Sequence, residues 1–543
     1  MGVKRHSRYA VLGAAAALVA LALSACAPQA PEAASTGSPE AGQDTLTIAT
    51  TTDVVNYNPL IGNSRSDYWI TNLMYPHLLS IGDDGSKEAQ LAVEWGYVDD
   101  TTGFYEIRDD LTWSDGEPLT AEDVAFTMNA VKRDAPAGTF YGQLGNFESA
   151  EAVSDTRVEI TLTQPDSSIV EEIGFWGNVV PQHVFEPAGS VAEFANDGSD
   201  GGWVSAGPFL LTDVQVGQSY TMERVEDYPL VEGGTPIPAK IVYRVFPDVN
   251  TEILALQSGE VDVIANSLPP SQVQQLQNAE GIEVMEVTGL GYAHMTYNMQ
   301  NPDLAKTEVR QALAHAADYE AIRDVVLQGQ AVSTGSSPLM PVLSKYYDAS
   351  VSEYEYDPEL SRELMREAGY TEGADGMFPV SFRLIYSLQD PVTSQWAQLV
   401  KDGAAEAGIP IELQGMERNT YLARTNEGDY DIYAGNFAIM DDPVTNFTLS
   451  YLPDGAINYT FVDDPELNAL IAEASATFDE DAKIELMREA AKIVHDEVYD
   501  NVMYTQNLYV AYSSDWEGFI SKPSELLSIV NPVSLASARK VSE

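Results

Sequence analysis

Beyond Thr45, short runs patterned like strands are interleaved with stretches spaced like helices, and the alternation persists along most of the chain. Residues 46–50 (LTIAT) and 158–162 (VEITL) alternate as half-buried strands do, and 241–246 (IVYRVF) is a more continuous β-rich run. Thr120-Ala121-Glu122-Asp123 reads as a helix cap ahead of Val124, Phe126 and Met128. Asp357-Pro358 sets a capping oxygen before a proline at the first helical position, predicting a helix that buries Leu360, Leu364 and Ala368 and stops at Gly369. Asp464-Pro465 opens another, with Leu467, Leu470, Ile471 and Ala474 on one face. After a break near Asp479, the spacing continues through Ile484, Met487, Ala491, Val494 and Val498. Alternating strands and helices predict an α/β fold. A chain of 543 residues exceeds what one core sustains, so two or more lobes are expected. There is no internal repeat, no heptad pattern and no second membrane segment.

The front end has its own grammar. A basic head (Lys4, Arg5, Arg8) precedes an apolar run from Ala10 to Leu23, then Leu23-Ser24-Ala25-Cys26. This is the build of a secretory signal. The apolar run is short of the ~20 residues that span a bilayer. Cys26 is the sole cysteine, so no disulfide staples the fold. Its setting resembles the lipobox of bacterial lipoproteins, which implies lipidation of Cys26 after removal of residues 1–25. Residues 26–44 are rich in Ala, Pro, Ser and Gly and lack periodicity, as a flexible tether does. The chain is therefore expected outside the cytoplasm, lipid-anchored to the cell membrane.

A formal charge of −55 and a pI near 4.1 exclude a basic nucleic-acid footprint. The six histidines have no zinc-site spacing and no cysteine partner. No phosphate loop, nucleophile elbow or dinucleotide turn is present, so no cofactor, no metal and no catalytic residue is assigned. Aromatic residues occur in loop-like contexts, among them Tyr57, Tyr68-Trp69, Phe140-Tyr141, Phe175-Trp176 and Trp203, and such rings suit amphipathic ligands.

Residues 111–124 (LTWSDGEPLTAEDV) then supply something specific. They resemble the signature of the peptide/nickel class of bacterial extracellular solute-binding proteins, the receptors of ABC importers. Further elements recur in order: Asn58-Pro59-Leu60, Gly207-Pro208-Phe209, residues 255–262 (ALQSGEVD), Val309-Arg310-Gln311-Ala312-Leu313, Glu367-Ala368-Gly369-Tyr370 and Gly428-Asp429-Tyr430-Asp431. The set spans roughly residues 46–510.

The resemblance implies a two-lobed periplasmic-binding-protein-like α/β fold with an extra subdomain inserted in the first lobe. Lobe one is expected at 45–288 plus 509–543, with the insertion near 80–200, and lobe two at 289–508. Crossings near 289–292 and 504–509 would form the hinge, with Tyr292 and Tyr504 beside the ligand and the glycines flanking Leu290 absorbing rotation. The implied protein is not an enzyme. It is a monomer that closes on a ligand: peptide leads, with an oligosaccharide or metal chelate as alternatives and an exported hydrolase or a transport-free sensor behind them. Its partners would be permease subunits and the membrane.

One departure concerns the ligand. Peptide-binding relatives carry an Asp that holds the peptide ammonium in a stretch like G-W-x-x-D-x-x-D-P. Laid on residues 435–443 (GNFAIMDDP), Asn436 takes the Trp position and Ile439 the anchor position, and Asp442 matches the second Asp. Either Asp441 anchors after a local shift, or the ligand has no free amine. Phe437, Tyr433 and Tyr141 offer flat apolar surface, Tyr68 is a further expected ligand-binding residue, and Arg65 lies where relatives contact ligand.

Overall fold

The structure is a computed structural model that describes residues 45–542 except 63, 200, 232 and 525. The signal segment, Cys26 and the tether lie outside the described residues.

Two large sheets organise the molecule. Sheet A has 7 strands in the order Ile282–Val287, Leu508–Ser513, Val263–Ile264, Thr45–Thr50, Lys240–Val245, Ser219–Arg224 and Phe209–Gln215. Thr45–Thr50 is central and parallel to both neighbours, and Leu46 and Ile48 are fully buried. Sheet B has 6 strands, ordered Ala331–Val332, Asp500–Gln506, Ala293–Tyr297, Ile432–Asn436, Phe382–Ser387 and Ile411–Met416. The sheets share no strand, and the chain passes between them through 288–292 and again at Asn507. Sheet C, of 4 antiparallel strands between Ala92 and Leu162, lies in the stretch of chain between the first two sequential strands of sheet A.

The 111–124 signature is a scaffold. Gly116 occupies the left-handed region (φ 96°), which lets its N–H donate to Trp113 O at 2.9 Å in a tight turn. Helix Ala121–Asp134 starts in a capping box: Thr120 accepts from Glu122 N, and the Asp123 carboxylate accepts from Thr120 N at 3.0 Å. The same carboxylate accepts from the buried Trp113 Nε1 at 3.2 Å and from Gln182 N at 2.8 Å. It thereby holds the segment after helix Ile169–Trp176, which carries residues of the site.

Helices Pro358–Glu367 and Pro465–Ser475 are capped by Asp357 and Asp464, with proline at the first position. The buried face of the first differs from the sequence expectation. Ser361 and Met365 are buried, whereas Leu360, Leu364 and Ala368 are half-buried. Helix Thr307–His315 packs close against it, and the small Ser361 admits that approach while its hydroxyl donates to Ala312 O at 2.7 Å. A hydroxyl with a partner can be buried where a leucine would not fit.

Gly289 and Gly291 have a packing role at the crossing. Neither adopts a left-handed conformation. A Cβ on Gly289 would lie 2.1 Å from Gln506 O, and one on Gly291 would lie 1.9 Å from Phe437 O. They are glycines because backbones meet at the crossing.

Candidate functional site

The cleft floor is built where the crossing meets the end of a sheet-B strand. Leu290 bridges Ile439 in parallel; Met440 N donates to Leu290 O at 2.7 Å and Phe437 N to Tyr292 O at 3.0 Å. Below lies a buried polar network. His294 Nδ1 donates to the Asp500 carboxylate at 2.8 Å, and Tyr451 Oη donates to the same group at 3.0 Å. The Phe437 ring rests on His294, with centroids 4.4 Å apart, so this network holds up a ring of the cleft.

Cavities lie on either side of residues 436–439. One, of about 380 Å³, is lined by Thr139, Gln143, Glu172 and Trp176 on one wall and by Tyr421 and Tyr459 among others on the opposite wall. The second, of about 590 Å³, runs along the crossing past Arg65, Tyr292, Tyr504 and Leu526. Both share Asp390, Arg418 and residues 436–439.

Asn436, Phe437 and Ile439 line both cavities, Asp441 lines the first, and Arg65, Tyr292 and Tyr504 line the second. Tyr68 packs with Phe437 and Ile439 in an apolar cluster without lining either cavity, and burial pushes its phenol up to about 12. Tyr141 is 42% exposed and lines neither, although Thr139 and Gln143 beside it line the first. Sequence reasoning missed Asp390, Arg418, Tyr421 and Tyr459 altogether. Asp390 carried a legible signal, Asp before Pro391, but only as a helix cap.

The three carboxylates of the first cavity are already committed. Asp390 caps helix Pro391–Glu406, accepting from Thr393 N at 2.9 Å, and also accepts from Asn436 Nδ2 at 2.9 Å. Asp441 is ion-paired with Lys87, both side chains 3% exposed. Glu172 is equally buried; burial first, then the Asp441 charge, push its carboxyl well above the usual range. Burial opposes the Lys87 ammonium, but Asp441 and Glu172 outweigh it and hold its pKa above the ordinary value. Arg418 is the remaining charged side chain of this lining, exposed and without an ion pair among the described residues. Asp442 caps helix Pro443–Tyr451, accepting from Thr445 N at 2.7 Å, and is a turn residue. Among the described residues no group of three or more His, Cys, Asp and Glu is placed to hold a metal ion, and no helix is long and apolar enough to cross a membrane.

Residues 88–458 match the family model for the bacterial extracellular solute-binding proteins, family 5. The chain belongs to this family. Its members of this kind are binding proteins of ABC importers, and this protein is a binding protein, not an enzyme. It is 26% identical over 512 residues to heme-binding protein A of Haemophilus influenzae, covering 89% of this chain and 91% of that one. It is 24% identical over 507 residues to the oligopeptide-binding protein AppA of Bacillus subtilis, covering 90% and 91%. In fold it matches the ABC transporter substrate-binding protein CtaP of Listeria monocytogenes with a TM-score of 0.80 at 24% identity, covering 92% of this chain and 99% of that one. The fold is thus the two-lobed α/β fold of periplasmic binding proteins.

Proposed function

We propose that this family 5 protein is a lipid-anchored receptor that encloses a ligand between its lobes and presents the closed form to the permease subunits of an ABC importer. The observation behind this reading is the first cavity, whose walls come from residues 139–176 on one side and 387–459 on the other. Lobe one is assigned to 45–288 plus 509–543 with a subdomain near 80–200, and lobe two to 289–508. A ligand that touches both walls favours the closed state by its differential affinity, and the permease reads that state.

The ligand is assigned as peptide-like, held by Arg65, Tyr292, Asn436, Phe437, Ile439 and Tyr504, with Arg418 facing a carboxylate or another acidic group. Oligosaccharide is the second reading, favoured by the tyrosine group of Tyr421, Tyr433 and Tyr459, with centroids 4.9 and 5.5 Å from Tyr433. Relatives that carry a metal chelate such as heme keep the third class open. Native mass spectrometry of the purified full chain identifies what it carries. Small-angle scattering with that compound is expected to show a smaller radius of gyration, and the melting temperature is expected to rise. An unchanged radius at saturation would overturn closure.

A further inference from the structure

Lys87 is a deeply buried cation that meets the wall of the cleft through Asp441. It stands on strand Lys87–Ala89, which pairs with Leu79–Ile81, and its side chain is 3% exposed. Lysine is almost never buried to this degree unless paired. Its Nζ hydrogen-bonds Asp441 Oδ2, lies 3.5 Å from Glu172 Oε1 and sits 4.4 Å from the centroid of the Phe175 ring. Two carboxyl groups and an aromatic face together make a complete receptor for a primary ammonium.

The position of this receptor gives it meaning. Glu172 and Asp441 both line the first cavity, so the ammonium receptor adjoins the proposed ligand space. Lys87 enters from the other side, through a cavity of about 150 Å³ that it lines with Asp84, Leu343 and Tyr346. Asp441 is the wall between the two. Glu172 Oε1, the atom 3.5 Å from Lys87 Nζ, is buried and makes no hydrogen bond among the described residues, so the receptor keeps an acceptor that Lys87 leaves without a hydrogen bond.

We propose that Lys87 is a specificity-determining residue that fills the cleft's ammonium receptor with the protein's own amine, so that the receptor takes ligands lacking a free α-amine. This rests on the reading of the cleft as the ligand site. A ligand amine could reach Asp441 only by displacing Lys87, which would strand one buried ammonium without its partner. Removing Lys87 should therefore convert the site into one that welcomes a primary amine.

The test uses the full chain, its Lys87→Ala variant and two probes. In the first arm, melting temperature is followed against n-butylammonium chloride, with sodium chloride and tetraethylammonium chloride at equal ionic strength as controls. A saturable rise is expected for Lys87→Ala with butylammonium alone, and none for the parent protein. If Lys87→Ala does not fold unaided, refolding with butylammonium but not sodium chloride counts as the same result. Absence of any butylammonium-specific effect would overturn the proposal. In the second arm, trialanine and N-acetyl-trialanine are titrated calorimetrically. The parent is expected to bind them within about threefold of each other, and Lys87→Ala or the charge-removing Lys87→Met to prefer trialanine by tenfold or more. An equal ratio in parent and variants would overturn the specificity role. If neither peptide binds any of the proteins, the peptide reading of the cleft falls, and the butylammonium arm alone decides the role of Lys87.

Discussion

Glu252 is the fourth residue of helix Val249–Gln257, fully buried, with both carboxylate oxygens lacking a hydrogen bond among the described residues. Burial, aided by the charge of Asp248, pushes its carboxyl from 4.5 up to about 8. The folded protein therefore keeps this proton over a range in which the unfolded chain has released it. The stabilisation is complete below about pH 4.5 and is lost as the pH rises to about 8. Each pH unit in that window costs up to about 1.4 kcal/mol. Glu252→Gln removes the titration. Thermal unfolding should show the variant gaining on the parent between pH 5 and 8, and a difference independent of pH would refute this account. Pairing separates Asp441 from an anchoring carboxylate, because the buried Lys87 already occupies it.

At the scale of elements, the crossing between the sheets is a close backbone contact. Gly291→Ala would drive a Cβ to 1.9 Å from Phe437 O and 2.8 Å from Ala438 C, both backbone atoms that carry the cleft floor. Overpacking of this kind costs about 3 kcal/mol. The denaturant midpoint should fall accordingly, and the variant should bind its ligand more weakly because residues 436–439 move. Gly142→Ala is the control: its Cβ meets nothing within 4 Å, and its stability should change by less than about 0.5 kcal/mol. Retention of full stability by Gly291→Ala would mean that the crossing adapts easily. Elements were largely legible from sequence because their signals are local. Asp357 and Asp464 cap their own helices two and three residues on, and Thr120 and Asp123 cap each other. The buried face of Pro358–Glu367 was not legible, because a neighbouring helix far away in sequence chose Ser361 over Leu360.

For the whole molecule, the proposed anchoring and closure belong together, since a tethered receptor would stay near its permease. Cys26 is the only thiol and follows Leu23-Ser24-Ala25. Cys26→Ser is expected to leave export intact and to move the protein from the membrane to the soluble fraction on cell fractionation. Wild-type partitioning of the variant would refute lipid anchoring. One acyl chain binds a membrane only marginally, so firm attachment implies more than one. With a formal charge of −55, little attraction to an anionic membrane surface is available as a substitute.

The sequence by itself determined the α/β class, the caps and turns, and the family, because each depends on residues a few positions apart or on motifs kept in order. Part of the site was legible for the same reason: residues 436–441 form one short run, and the motif alignment marked it. Tertiary structure alone decided which partners that run meets. Lys87 and Asp441 are 354 positions apart, in a chain with 83 acidic residues that any lysine could meet. Arg418, Tyr421 and Tyr459 likewise reach the cavity only through the packing of sheet B and its helices. A charge's partner, and hence its availability to a ligand, is set by which surfaces the folded lobes bring together, and no local pattern encodes that.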